Sequence, residues 1–401
     1  MMVSVDAIKS YASIYPRQYI AYRVPPAPAN NDGDNNNNDL SSSMPSPAVT
    51  IDGNLDKDFW KDVDWTDDFA DIATDTVPKF HTRVKMRWDD EYLYVGAYLF
   101  EVFVDTEGSN HNYKEFEINA LGTTWSLLLN KPYADNGGEN SKRVDADGEP
   151  AKCVILFHVK MPIPTRYRHF LHVDGLLGYD MGPHLQSAVK VYPDGAINQP
   201  TIKNICWTVE IAFPISKLME RNSLAKRPVN NVFWRINFSR VQWGWKLNEE
   251  GQYEKEPCCQ TCATPGSAAE DNWVWSKQGE VAMHLPEKWG ILQFEANRQS
   301  DGKMRYYDEW PCRCAAMAMY YAMKKYHETE GKYTTNVEDL KPHANSHFPI
   351  CDEAEMSISL TNSGYEARAS IASYSASVNE ERYLVVLPDK LTSDTGSAVT
   401  E

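Results

Sequence analysis

Residues 272–294 read NWVWSKQGEVAMHLPEKWGILQF. This stretch decides the fold. It holds Trp273, Trp275 and Trp289 beside His284, Pro286, Glu287 and Gly290. An indole has a flat apolar face and one N–H donor, so it suits surfaces that are half dry and half wet. The stretch therefore has two uses. It closes a β-sheet core, or it presents rings to a ligand with flat apolar faces.

Upstream, alternation is the dominant pattern. In 83–98, RVKMRWDDEYLYVGAY, Val84, Met86 and Trp88 alternate, Asp89-Asp90 makes a turn, and Tyr92, Tyr94 and Tyr98 alternate against Leu93, Val95 and Ala97. That is a hairpin signature. In 100–105, FEVFVD, Glu101, Phe103 and Asp105 share one strand face. Further strands are expected in 113–129, 187–214 and 232–243. Short strands with turn signals at intervals of about ten residues predict a mainly β chain, an antiparallel β-sandwich.

Composition changes sharply at both ends. Residues 25–48 are Asn/Asp/Ser/Pro-rich, with too few apolar side chains to bury, and read as a disordered loop or linker. A first strand, YPRQYIAYRV, precedes them. Beyond Phe294 an Ala/Met/Tyr run predicts a helix from Pro311 to Glu330, stopped by Gly331. Three parts follow: an N-terminal strand and linker (1–47), the β-sandwich (48–296), and a smaller C-terminal α+β extension with a frayed tail (297–401).

The formal net charge is −16, from 40 basic and 56 acidic residues. Phosphate backbones need a basic face, so no nucleic acid partner is expected. No apolar run is long enough to span a bilayer, so no membrane partner is expected. No secretory signal is visible, which reads as cytoplasmic by default and extracellular if the N-terminus is incomplete. Oligomeric state is not legible. Among the cysteines, Cys259-x-x-Cys262 with Cys312-x-Cys314 is one arrangement for zinc, disulfides are a second, and free thiols a third.

No phosphate loop, nucleophile elbow or HExxH motif occurs. Paired carboxylates do occur: Glu101 with Asp105, and Glu115 with Glu117. A glycosidase needs two carboxyls facing one cleft at about 5–9.5 Å, and spacing alone does not make these converge. Acidic turns at Asp52, Asp56, Asp58, Asp62, Asp64, Asp67, Asp68, Asp89 and Asp90 offer oxygen ligands for calcium, although none forms a DxDxDG loop.

The ordered set IDGNLD, VKMRWDDEYLYVGA, FEVFVD, YKEFEINALGTTWSLLLNKPY, WTVEIAFP, WRINFSRVQW and the opening stretch resembles the carbohydrate-binding module family 9-like domain, over residues 48–296. The resemblance implies a β-sandwich with structural Ca²⁺. It also implies a non-catalytic site that grips carbohydrate, of the xylan or glucan type, between two tryptophans. The family's strand glutamate falls on Glu101. The polar positions of the next strand fall on Glu117 and Asn119. The tryptophan near the last strand falls on Trp273 or Trp275. Two departures stand out. Tyr98-Leu99 runs straight into Phe100-Glu101, where members carry a longer segment with an acidic ligand and the partner aromatic. Residues 153–172 look inserted. Sugar binding linked to carbohydrate catabolism is therefore the expectation. The alternatives are an O-glycosyl hydrolase using Glu101 and Glu117, and an interaction module without a sugar site.

Overall fold

The computed structural model describes residues 11–25, 45–98, 101–145, 179–257, 270–298 and 304–389. The Leu99–Phe100 junction, the 153–172 insertion, Cys153 and the Cys258–Cys262 cluster lie outside the described residues.

Strands follow the alternating segments. They are β1 (Gln18–Arg23), β2 (Ala70–Asp71), β3 (Val84–Trp88), β4 (Tyr92–Ala97), β5 (Glu101–Asp105), β6 (Tyr113–Ile118), β7 (Thr124–Leu129) and β8 (Glu139–Val144). Then come β9 (Gln186–Tyr192), β10 (Cys206–Pro214), β11 (Val232–Trp243), β12 (Trp245–Leu247), β13 (Tyr253–Lys255), β14 (Glu270–Val274) and β15 (Gly290–Glu295). All but β12 and β13 join one 13-stranded sheet, ordered β8-β7-β6-β5-β11-β15-β1-β3-β4-β10-β9, with β14 and β2 attached beside β11. β12 and β13 form a separate hairpin.

The sheet folds over on itself about β15 and β1. One wing is β8-β7-β6-β5-β11 and the other is β3-β4-β10-β9. Phe116 of β6 meets Phe213 of β10 edge-on, with ring centroids 5.3 Å apart, although their strands lie far apart in the sheet order. The two inner faces thus share one core, containing Val102, Val104, Ile236 and Phe238 from one wing and Val95, Val209 and Ile211 from the other. This is a two-layer β arrangement, as the alternation predicts.

One element departs from the antiparallel expectation. β1 runs parallel to both β15 and β3. It lies in the middle of the large sheet, so the division at 47/48 separates a central strand from the sheet that it completes. Tyr19 and Ala21 are buried in the shared core, and Trp88 Nε1 donates to Ala21 O at 3.0 Å. Long-range pairing of this kind leaves no local sequence signal, because both partners are remote along the chain.

The C-terminal extension is a helix, α1 (Trp310–Glu330), and an antiparallel sheet of β16 (Glu355–Leu360), β17 (Tyr365–Ile371), β18 (Tyr374–Asn379) and β19 (Leu384–Pro388). Gly331 adopts φ 68° and terminates the helix, as a left-handed C-terminal residue should. From Trp310 to Tyr320 every residue of α1 is buried. One side meets the small sheet, where the Cys312 thiol donates to Ala369 O at 3.1 Å. The other meets the outer face of the β5/β11 wing, where Arg313 Nη1 donates to Gly108 O at 2.6 Å. Small residues at Ala315, Ala316, Ala318 and Ala322 permit this close two-sided approach.

Buried charges join the two units. The Arg382 Nε lies 2.9 Å from Asp135 Oδ2, and its Nη1 lies 3.6 Å from Glu287 Oε1. The same guanidinium lies over Tyr320 and Tyr321, at 5.0 and 5.4 Å from the ring centroids. Arg313 forms a second pair with Glu309, one helical turn away at 2.8 Å. Cys206, Cys312, Cys314 and Cys351 are free thiols.

Candidate functional site

The outer face of the β8–β11 wing carries the site. Strand register places its side chains in rows. Glu101 of β5 pairs with Glu117 of β6 on one side and with Ser239 of β11 on the other. Glu117 pairs with Trp125 of β7, and Trp125 pairs with Arg143 of β8. Directly paired residues point to the same face, so Arg143, Trp125, Glu117, Glu101 and Ser239 form one transverse row. From Trp125 to Ser239 is three inter-strand steps, about 14 Å. The next row contains Ser141, Leu127, Glu115, Phe103 and Asn237. The sequence pairing of Glu115 with Glu117, two residues apart, therefore becomes a real neighbour pair on this face.

Below the acids the face turns apolar. Phe103, Tyr113, Leu127, Leu129 and Trp289 form a compact cluster. Trp289 is thus fully buried, but in this satellite cluster rather than in the core between the wings. His284 sits on the rim. Its Nδ1 is 3.0 Å from Tyr113 Oη, its ring lies edge-on to Tyr133 at 4.5 Å, and its Nε2 is 3.9 Å from Glu115 Oε2. Burial pushes the imidazole down to about 4, so it is neutral at neutral pH.

The three carboxyls are unusual. Glu101, Glu115 and Glu117 are 8%, 5% and 4% exposed. Desolvation raises all three, because a charge loses its hydration when buried. Glu101 is raised to about 7, with the negative Glu270 adding to the shift and the Ser239 hydroxyl offsetting part of it. Glu115 is raised well above its ordinary value by burial and then by Glu101 and Glu139. Glu117 is raised likewise by burial, Glu115 and Glu101, with Arg143 opposing. Glu115 and Glu117 titrate as a pair. Glu115 and Glu117 share a side-chain hydrogen bond, as buried carboxyls that keep a proton can.

Aromatic rings flank the acids. Trp125 is half-buried, and Arg143 lies over its ring at 3.7 Å from the centroid. On β11, Trp243 shares the parity of Ser239 and pairs with Glu270. The Lys255 ammonium lies over the Trp243 ring at 3.2 Å.

The expected residues fall as follows. Glu101 and Glu117 are brought together as direct cross-strand partners. Asn119 follows them on β6's face, but its Oδ1 accepts from Leu121 N at 2.9 Å and Thr123 N at 3.0 Å, so that oxygen holds the β6–β7 turn. Trp273 and Trp275 are the correction. Trp273 pairs with Arg240, the neighbour of Ser239, and therefore points to the opposite face of the sheet. Trp275, two residues on, follows it into the core. They are 2% and 1% exposed, and neither presents a ring face beside Glu117. Gly290 is what admits the Trp275 ring: a Cβ there would strike it. Glu115, Trp125, Arg143 and Ser239 were not among the expected ligand residues. Trp125 could have been found by counting register from Glu117 across the tight 119–123 turn.

Two of the acidic turns spend carboxylate oxygens locally. The Asp52 Oδ1 accepts from Asn54 N at 2.9 Å and pairs with Lys57 Nζ at 2.8 Å. Asp89 accepts from Glu91 N, Tyr92 N and the Tyr94 hydroxyl. Their oxygens serve their own turns. Among the described residues no group of three or more His, Cys, Asp or Glu is arranged to hold a metal ion.

No family profile and no curated protein matches the chain. Solved structures do align with it. A carbohydrate-binding module of family 9 from Caldicellulosiruptor kristjanssonii, in complex with cellotriose, is similar at 12% identity and a TM-score of 0.29, covering 72% of this chain and 99% of that one. A family 9 module from the same organism in complex with glucose aligns at 12% identity and a TM-score of 0.30, covering 70% of this chain and 97% of that one. A Bacteroides uniformis protein provisionally described as carbohydrate-binding aligns at 13% identity and a TM-score of 0.35, covering 70% of this chain and 100% of that one.

Proposed function

We propose that this chain binds carbohydrate without transforming it, on the outer face of the β5–β7 and β11 strands. The observation that carries the reading is the transverse row: Trp125 beside Glu117 and Glu101, with the three carboxyls on the same side of the sheet. A pyranose presents C–H groups on its faces and hydroxyls at its edge. A half-buried indole accepts the face and carboxyls accept the hydroxyls. Trp125 takes the stacking role expected of Trp273 or Trp275. Glu101, Glu115 and Glu117 supply hydrogen bonds, and Asn119 contributes its NH₂ side. Xylan- or glucan-like chains in carbohydrate catabolism are the ligands that this reading favours.

Titration with xylo- and cello-oligosaccharides, followed by tryptophan fluorescence, tests it. Saturable quenching or enhancement that disappears in Trp125→Ala is expected. No response at millimolar sugar in the folded protein would count against the proposal.

A second reading rests on one observation. Glu101 and Glu117 are direct neighbours, and burial keeps protons on carboxyls near neutral pH. A carboxylic acid beside a carboxylate is what acid–base cleavage of an O-glycosyl bond uses. Release of reducing sugar that is lost in Glu117→Gln would favour this hydrolase over a binding module.

A further inference from the structure

The tip of the β18–β19 hairpin places Arg382 where its backbone is disfavoured. Arg382 adopts φ 67°, the left-handed region that a β-carbon opposes and that glycine or asparagine fills more readily. Asn379 builds the turn. Its Oδ1 accepts from Glu381 N and Tyr383 N, each at 3.0 Å, and its backbone oxygen accepts from Arg382 N at 3.0 Å. Backbone strain of this kind is kept where the side chain it presents is needed. Here that side chain is a buried guanidinium.

The guanidinium reaches two turns of the β-sandwich at once. Its Nε lies 2.9 Å from Asp135 Oδ2, in the turn Tyr133–Asp135 after β7. Its Nη1 lies 3.6 Å from Glu287 Oε1, in the turn Pro286–Lys288 before β15. α1 grips the same two carboxylates. The Tyr320 hydroxyl donates to Asp135 Oδ1 at 2.5 Å, Lys324 Nζ lies 2.7 Å from that atom, and the Tyr321 hydroxyl donates to Glu287 Oε1. From its own wing, Arg235 holds the backbone of the second turn, donating to Glu287 O at 2.9 Å. These turns carry the rim of the candidate site. The Tyr133 and His284 rings meet at 4.5 Å, and His284 faces Tyr113 and Glu115 of β6. Trp289, just past the second turn, packs on Phe103 and Tyr113. A continuous path therefore runs from Arg382, through two carboxylates, to the rings beside Glu115.

We propose that Arg382 is a positioning residue for the carbohydrate face: by bridging Asp135 and Glu287 it sets the Tyr133–His284 rim against Glu115, which makes the C-terminal unit part of the site's construction. The effect on sugar affinity rests on the carbohydrate-binding reading above, whereas the effect on the rim does not. Arg382 acts without touching ligand, because Tyr320 and Tyr321 enclose its guanidinium. Lysine is no substitute. Its ammonium is a point charge, while the planar guanidinium presents donors in several fixed directions and can serve two carboxylates together. In Arg382→Lys, Asp135 keeps Tyr320 and Lys324, so the loss falls on the Glu287 turn and on the coupling between the two turns.

Four full-length chains test this: the parent, Arg382→Lys, Tyr321→Phe and Ile371→Ala. Tyr321→Phe removes one donor to Glu287 and keeps the ring stacked on Phe348 at 5.6 Å. Ile371→Ala loosens the core of the same unit away from the bridge. The first readout is the pH titration of the His284 ring C–H signal by NMR, assigned with His284→Gln. His284 faces Phe103, Tyr113, Glu115 and Tyr133, with Glu139 behind Tyr133, and burial holds it down to about 4. Its midpoint should rise towards the ordinary 6.5 in Arg382→Lys, and less far in Tyr321→Phe, while Ile371→Ala matches the parent. The second readout is calorimetric affinity for cellohexaose and xylohexaose, expected to fall at least roughly fivefold in Arg382→Lys and to hold in Ile371→Ala. A parental His284 titration in Arg382→Lys would overturn the positioning role, whatever happens to its melting temperature. Equal changes in Ile371→Ala would overturn it too, by assigning the effect to general loosening. A shifted His284 with unchanged affinity would break the link from rim to ligand. A shifted His284 with no sugar bound by any chain would keep the bridge and sink the carbohydrate reading. Should Arg382→Lys fail to fold, Tyr321→Phe carries the same two readouts.

Discussion

Glu101→Gln should make the protein more stable above neutral pH and leave it unchanged in acid. Burial raises the Glu101 carboxyl from 4.5 to about 7. The folded chain therefore keeps a proton that the unfolded chain releases near 4.5. Between those two values the native state binds more protons, so this group's contribution to stability falls as pH rises. The full gap corresponds to roughly 3 kcal/mol. At 8% exposure, solvent screening reduces it little. Glutamine keeps the shape and removes the charge. It also relieves repulsion on Glu115 and Glu117, which acts in the same direction.

The raw pH curve of the parent protein does not isolate this effect. His284 and His347 are both pushed down to about 4 by burial. The unfolded chain takes up protons at those histidines as pH falls through the ordinary value of 6.5, so they destabilise the fold on acidification. Their contribution is the same in both proteins and cancels in the difference. Denaturant unfolding of both proteins from about pH 4 to about pH 8 gives that difference directly. It should be near zero below pH 4.5 and rise towards roughly 3 kcal/mol above pH 7. A flat difference, or one favouring the parent at high pH, would refute the burial of a protonated Glu101.

Three further outcomes follow from the packing. Arg382→Met strips the buried Glu287 carboxylate of its guanidinium, while Asp135 keeps Lys324 at 2.7 Å, and should cost about 3–5 kcal/mol; limited proteolysis should then release fragments of the C-terminal unit earlier than in the parent. Gly290→Ala drives a methyl group into the Trp275 ring. Overpacking of this kind costs about 1–3 kcal/mol or more, and thermal melting would show it. Trp125→Ala should abolish sugar-dependent fluorescence while lowering stability by about 1 kcal/mol or less, because the ring is half-exposed. A large stability loss with binding intact would reassign Trp125 to structure.

Much of the fold is legible before any coordinates. Period-two alternation in 84–97, 101–105 and 113–129 predicts strands with the right face inward, because burying one sheet face imposes that period directly. The Ala/Met/Tyr run and Gly331 mark the helix to within one residue, Pro311 against the observed Trp310. The candidate site is legible only in part. Glu101 and Glu117 each alternate with buried apolar residues, so their shared outer face can be deduced once their strands pair. Trp273 and Trp275 misled because tryptophan density carries no parity. Whether an indole faces core or solvent depends on which residue it is paired with, and Arg240 rather than Ser239 is the partner of Trp273.

The sequence by itself determined the strands, the terminal helix and the acidic, aromatic character of one strand pair, since local periodicity and composition suffice for these. Tertiary structure alone decided three things. It placed β1 in the centre of the sheet, parallel to both β3 and β15, which are remote from each other along the chain. It buried α1 between two layers. It also set the register that lines Trp125, Glu117 and Glu101 in one row while turning Trp273 and Trp275 away. All three are long-range pairings, and a one-residue change of register would exchange the faces without altering any local pattern.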